Sequence, residues 1–117
     1  MDVKAVRGAV QVVKDNTDAM CEAVHTLFRT LCNTNDLREE QIISIHFTVT
    51  PDLQSSNPAT CLRHIGYQFT PMLCMQEAMC IKMLPRVVRV LLTIRCINEK
   101  VMVPVYLGNT KQLRPDI

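Results

Sequence analysis

The sequence predicts an α/β (α+β) domain, a mixed sheet carrying two helices. Three observations predict it. Residues 3–13 and 42–50 alternate between two faces with the period of a strand. Between them, residues 18–32 place apolar side chains at helical period. Residues 87–94, VVRVLLTI, form the apolar run of a strand buried in a sheet. The chain has 117 residues, 48% hydrophobic and 21% charged, which excludes a disordered chain and fits one domain over 1–117.

Each element has its own local reason. In the first strand Val6, Val10 and Val12 share one parity, interrupted by Gly8. The other parity carries Val3, Ala5, Arg7, Ala9 and Gln11, so Arg7 is a cation among small residues. In the helix, Met20, Cys21, Val24, Leu27, Phe28 and Leu31 make one stripe, and Asn16 or Thr17 can cap its start. Turn-forming residues at 33–36, NTND, are expected to end it. In the second strand Ile43, Ile45, Phe47 and Val49 face one way, and Ser44, His46, Thr48 and Thr50 the other. Asn57 followed by Pro58 is a helix start, and Gly66 a helix stop, around the short ATCLRHI helix. Tyr67 to Met75 reads as an extended segment interrupted by Pro71, and 78–86 as an irregular connection. A last strand, 103–107, precedes the LRPDI tail. The order is roughly β-α-β-α-β-β, and the order of strands within the sheet is not readable from it.

Composition also excludes functions. The net charge is +2 and no Lys/Arg run is present, so a nucleic-acid partner is not expected. Three glycines and no tryptophan leave no Gly-rich phosphate loop and no aromatic stacking platform. No apolar stretch approaches the ~18 residues of a membrane span, and no signal-like segment opens the chain. A soluble, cytoplasmic protein without a membrane partner is expected. The six cysteines, Cys21, Cys32, Cys61, Cys74, Cys80 and Cys96, include no CxxC pair and no zinc-finger spacing. They are expected to be reduced and mostly structural, and no metal is expected.

Three arginines stand out by their settings. Arg7 and Arg89 lie within strands, and Arg63 lies in the short helix after Pro58. An unpaired cation is expensive to bury, so each must meet an anion or open onto a cleft. Glu77, Asp52 or Asp116 could supply a purely structural partner. Glu77 follows Cys74 by three residues in CMQE, which reads either as core plus surface carboxylate or as a polar thiol–carboxylate patch. Tyr106, alone near a strand end, reads as packing or as a hydroxyl donor. The three histidines are dispersed and none has a nucleophile at a telling spacing, so a Cys-His hydrolase is disfavoured.

These residues sit in strings that occur in a fixed order: VRGAV at 6–10, TPDL at 50–53, NPATCLR at 57–63, CMQE at 74–77, RVVRVLLT at 86–93, VYL at 105–107 and LRPD at 113–116. Together they resemble the monofunctional chorismate mutases of the trimeric, non-helical (Bacillus-type) class, along the whole chain. The resemblance implies a ferredoxin-like subunit, a homotrimer forming a pseudo-α/β-barrel, and active sites between subunits. It implies the unimolecular Claisen rearrangement of the chorismate dianion to prephenate, a step of aromatic amino acid biosynthesis, with no cofactor. Carried over residue by residue, it implies that Arg89 meets the ether oxygen and a carboxylate. Arg7 holds a carboxylate and Tyr106 donates to one. Glu77, with the Cys74 backbone or thiol, binds the ring hydroxyl, and Glu77 faces the developing positive ring. Arg63 and Leu113 lie at the cleft margin. Three other readings remain open at this point: a diverged, non-catalytic trimer that binds a small carboxylate, an imine deaminase of the similar RidA-like fold, and a purely structural trimer that binds no dicarboxylate.

The chain departs from the family pattern at Asn57, usually an aromatic residue, and at Thr60, usually a lysine. The 78–86 connection, AMCIKMLPR, lacks the usual Gly-rich, acid-containing version, and the chain stops soon after LRPD. Losing a cation weakens capture of a dianion, and losing a ring loosens apolar shielding. The expectation is an active enzyme with a raised Michaelis constant. Steady-state kinetics on chorismate check it, and a KM in the range of relatives carrying the aromatic residue and the lysine would refute it.

Overall fold

A computed structural model describes residues 1–97 and 99–116; Ile117, the end of the tail, lies outside the described residues. The elements are β1 (Asp2–Gln11), α1 (Thr17–Asn35), β2 (Ile42–Val49), α2 (Pro58–Arg63), β3 (Met72–Gln76), β4 (Val87–Cys96) and β5 (Val105–Tyr106). Short 3-10 helices cover Glu39–Gln41 and Gly108–Leu113. The strands form one five-stranded sheet in the order β3-β2-β4-β1-β5. β4 is antiparallel to both β1 and β2, whereas β3 runs parallel to β2 and β5 parallel to β1. The class is α+β with a mixed sheet and two main helices, as the sequence predicts. The fifth strand is the addition. The extended segment after Pro71 is β3, and the Pro71 carbonyl already accepts from the Ile45 N–H at 2.9 Å.

One face of the sheet packs on the helices. Val6, Val10, Ile45, Phe47, Val88, Val90, Leu92 and Ile94 are all buried there, against Met20, Val24, Leu27, Phe28 and Leu31 of α1. Each such side chain contributes about 1.5–3 kcal/mol by leaving water. Phe28 and Phe47 meet with ring centroids 5.8 Å apart. β1 passes close under α1 because residue 8 has no side chain: a Cβ at Gly8 would lie 3.0 Å from Leu31 Cδ1 and 3.2 Å from Leu27 Cδ1. One parity expectation fails locally. A register shift between Ile42 and Ser44 buries Ile42 and leaves Ile43 exposed, so Ile43 does not share the inward face of Ile45 and Phe47.

α1 begins where expected, with Asn16 Oδ1 accepting from the Ala19 N–H at 2.8 Å. It ends later than the turn residues suggest. The helix continues through Asn33, Thr34 and Asn35 to Asp36, whose φ of 51° makes the left-handed stop. The reason is tertiary. Asn35 is buried, its amide donates to the Leu31 and Val103 carbonyls at 3.0 Å each, and its Oδ1 accepts from the Val103 N–H at 2.7 Å. These bonds tie the segment entering β5 to the end of α1.

The cysteine expectation needs correction. Cys21 of α1 and Cys61 of α2 are joined in a disulfide, while Cys32, Cys74, Cys80 and Cys96 are free. The sequence places both partners within apolar helical patterns. It does not reveal that the two helices pack side by side with these Cα atoms 5.0 Å apart. With a sequence separation of 40, the chain-entropy account gives the link about 4 kcal/mol of stabilisation. No described helix is long and apolar enough to cross a membrane.

Replacing Asn35 with alanine strands the Val103 N–H and carbonyl next to the core. We expect Asn35→Ala to lower the unfolding free energy by about 2–3 kcal/mol in urea titration, with the m-value unchanged. A loss under ~0.5 kcal/mol would show that the 103–106 segment is held by other contacts.

Candidate active site

The sheet face away from the helices carries the candidate site, and strand register builds it. In one row across the sheet, Met75 lies beside Thr48, Thr48 opposite Arg89, Arg89 opposite Ala9, and Ala9 beside Tyr106. In the next row, Leu73 lies beside His46, His46 opposite Leu91, and Leu91 opposite Arg7. Side chains two apart on a strand share a face, so these rows bring Arg7, Arg89, His46, Thr48 and Met75 to one surface. Glu77 follows β3 directly, and its N–H donates to the Val49 carbonyl at 2.8 Å, which carries the β2–β3 ladder one step further.

At the centre is a carboxylate held from two sides. Glu77 Oε1 accepts from the Thr48 hydroxyl at 2.9 Å and lies 3.0 Å from Arg89 Nε. The Arg89 Nε is out of reach of water, and its N–H is not aimed at an acceptor, so the pair is an ionic contact without an aligned hydrogen bond. The Arg89 side chain is nevertheless 43% exposed, so its outer nitrogens remain open to an anion.

The beginning of β4 is fixed by a polar knot in the TPDL string. The Thr50 hydroxyl donates to Asp52 Oδ1 at 2.6 Å and accepts from the Val87 N–H at 2.9 Å. Both Asp52 carboxylate oxygens accept from the Arg86 N–H, at 3.1 and 3.0 Å, and Arg86 Nε donates to the Val12 carbonyl at 2.8 Å. Arg86 adopts a φ of 53°, and the knot holds it there.

A cleft of about 560 Å³ covers this surface, within the range of small-molecule sites. Arg7, Glu77, Arg89, Tyr106 and Arg114 supply its polar lining, with His46 and Thr48 from β2, and Met75, Val90 and Leu91 are its apolar lining. Arg114 is clipped to Asp116 by two bonds of 3.1 and 3.0 Å. That clip holds the Asp116 carboxyl below the usual range and the guanidinium above it, with Tyr106 a smaller contributor to the latter. Among the described residues, no group of three or more His, Cys, Asp or Glu side chains is placed to hold a metal ion.

The structure brings Arg7, Glu77, Arg89 and Tyr106 together within the cleft. Leu113 lies just beyond, in a smaller hollow that shares Glu77 and Arg89 with the 80–84 loop. The Cys74 side chain is on the other face. It is in register with Phe47 and packs on the core, and burial raises its thiol pKa. Asn57, Thr60 and Arg63 are on α2, in the helix layer, and do not line the cleft of their own chain. Asn57 caps α2 through the Ala59 N–H at 2.9 Å, and Arg63 donates to Thr60 Oγ1 at 3.5 Å. Sequence reasoning missed His46, Thr48, Met75, Leu91 and Arg114. The alternation of β2 marks His46 and Thr48 as facing away from the core, but only register shows what lies beside them.

Known proteins are similar to this chain in sequence and fold. Residues 3–117 match the family described as Chorismate mutase type I. The Chorismate mutase AroH of Thermus thermophilus is 35% identical over 117 residues, spanning 98% of this chain and 96% of that protein. The Chorismate mutase AroH of Bacillus subtilis is 29% identical over 119 residues, spanning 100% and 94%. The solved chorismate mutase from Clostridium thermocellum superposes with a TM-score of 0.88 at 33% identity, over 93% of this chain and 98% of that one. A full-length family match, relatives aligned end to end and a shared fold agree with the cleft: this chain belongs to the type I, AroH-class chorismate mutases.

Proposed function

We propose that the cleft between β3 and β5 binds the chorismate dianion and accelerates its rearrangement to prephenate by position and charge alone. The observation that carries this is a cleft lined by the Arg7 and Arg89 guanidinium groups together with one fixed carboxylate, Glu77, and by Arg114, itself paired to Asp116. The reaction breaks a carbon–oxygen bond and forms a carbon–carbon bond within one molecule. It needs no proton transfer and no covalent intermediate. As the bond breaks, the ether oxygen gains negative charge and the ring becomes partly positive.

Arg89 suits the oxygen. Its ionic contact with Glu77 engages Nε and leaves the terminal nitrogens for the ether oxygen and a carboxylate. Glu77 suits the ring, since Thr48 and Arg89 hold its carboxylate in place before substrate arrives. Preorganised charge of this kind does not have to reorient during the reaction. The planar Arg7 fork takes a carboxylate with Tyr106 beside it. Cys74, with its thiol turned to the core, contributes through its backbone beside Met75. Leu91, with Met75, keeps the folded, chair-like conformer against an apolar floor.

The working unit is a homotrimer with its sites between subunits. The same open sheet face exposes Val3, Leu73, Met75 and Leu91, and the 78–86 connection exposes Met79 and Ile81. An apolar surface of this extent marks an interface. Arg63, Thr60, Asn57 and the rest of α2 stand on the far side of their own chain, and a neighbouring subunit's copy completes the cleft margin. With a lysine and an aromatic residue replaced there by Thr60 and Asn57, the margin supplies less charge and less apolar cover.

Purified protein without any cofactor is expected to consume chorismate and yield prephenate, identified by chromatography. Arg89→Ala is expected to lower kcat by a factor of about 10²–10³, the scale of losing one strong donor to a developing anion. Full turnover by that variant would remove Arg89 from the ether oxygen. A folded wild-type protein that binds chorismate without turnover would establish the non-catalytic reading instead.

Sedimentation at micromolar concentration should give about three times the 13.3 kDa subunit mass. A stable monomer would exclude a site shared between subunits.

A further inference from the structure

We propose that His46 is a substrate-binding residue of this cleft, donating a hydrogen bond from Nε2 to the carboxylate of the dianion that Arg7 does not hold. The inference rests on the proposed reaction and adds a residue to it.

Two observations carry it. His46 lines the cleft from β2, one strand beyond Leu91 and on the opposite side of Leu91 from Arg7. With strands about 4.8 Å apart, the Cα atoms of His46 and Arg7 stand about 10 Å apart across the floor. That span suits the two anionic ends of a compact dicarboxylate, with Leu91 beneath its ring.

The second observation concerns the ring nitrogens. His46 Nδ1 is out of reach of water and has no hydrogen-bond partner. A proton there would be a buried donor with nothing to accept it, and such donors are rare and costly. The neutral ring therefore carries its proton on Nε2, the nitrogen that meets the cleft. No acceptor within the described protein engages that N–H, so it is available to an arriving oxygen. Thr48, two residues further along the same face, is different: Glu77 already takes its hydroxyl.

The geometry separates His46 from the charge changes of the reaction. Arg89 lies in the next row and Glu77 beyond it, held against Arg89, so the imidazole contacts a group whose charge is the same in substrate and transition state. Its contribution is to uniform binding, which appears in KM and not in kcat.

The test compares wild type with His46→Leu and His46→Gln in steady-state turnover of chorismate, with sedimentation as the check on assembly. His46→Leu is expected to raise KM about tenfold with kcat within about twofold, the scale of one hydrogen bond to a charged acceptor. His46→Gln puts an amide N–H near the place of Nε2 and is expected to recover most of that loss. An unchanged KM in His46→Leu, or a raised KM that glutamine does not recover, overturns the proposal while leaving the reaction intact. A wild-type protein without turnover overturns the reaction, and this proposal with it. Should His46→Leu fail to assemble, the wild-type His46 Nε2 resonance decides: a shift on adding prephenate supports the contact, and no shift overturns it.

Discussion

Ten residue pairs join β1 to β4, from Asp2 opposite Cys96 to Gln11 opposite Val87, and the site depends on that ladder. β4 is the middle strand, so its register with β1 on one side and β2 on the other fixes which side chains meet across the open face. Arg7 and Arg89 come from strands far apart in sequence. They share a cleft because Ala9 is opposite Arg89 and Leu91 opposite Arg7. A slip of one residue would turn every one of these side chains to the other face. The ladder is protected against that slip by the core, where Val88, Val90, Leu92 and Ile94 fill the helix-facing side at the matching parity.

The two faces divide the work. The helix side holds the stability, in closely packed aliphatic and aromatic side chains and the Cys21–Cys61 link. The open side holds the charges, and it tolerates them because it is not sealed by its own chain. This resolves the difficulty posed by arginines inside apolar strands. Arg89 meets Glu77 at 3.0 Å yet remains partly exposed, so it is neither stranded in a core nor confined to a structural pair. Fixing the ends of the strands matters as much as the strands themselves. Thr50, Asp52 and Arg86 anchor the start of β4, and Asn35 anchors the approach to β5, which carries Tyr106.

Much of this architecture was legible in the sequence, because period-two and helical patterns report directly which side chains leave water. The strand parities of β1 and β4, the Asn16 and Asn57 caps and the membership of Arg7, Glu77, Arg89 and Tyr106 in one polar set all came from residue order or the family strings. What was not legible depended on contacts between distant segments. The helix outran its turn residues because Asn35 found partners at Val103. Ile43 left the core through a register shift, and Cys21 met Cys61 because two helices lie together. β3 was legible only as part of an extended segment, because five residues beside a proline carry too little periodicity to identify a strand. His46 and Arg114 reached the cleft by register and by a tail that folds back, neither of which is written in local composition.

Gly8 sits where the two faces come closest. On one side its bare Cα lets Leu27 and Leu31 of α1 press against β1, and on the other its backbone lines the cleft between Arg7 and Ala9. Any side chain added there would push on the helix layer, and the recoil would fall on the residues immediately before and after it. A random-mutagenesis screen scored on activity would therefore group Gly8 with the charged residues, although it offers substrate no functional group. The pattern of inactivating substitutions in this enzyme would outline where helix layer and cleft share one thin wall of backbone, and not simply which side chains line the cleft.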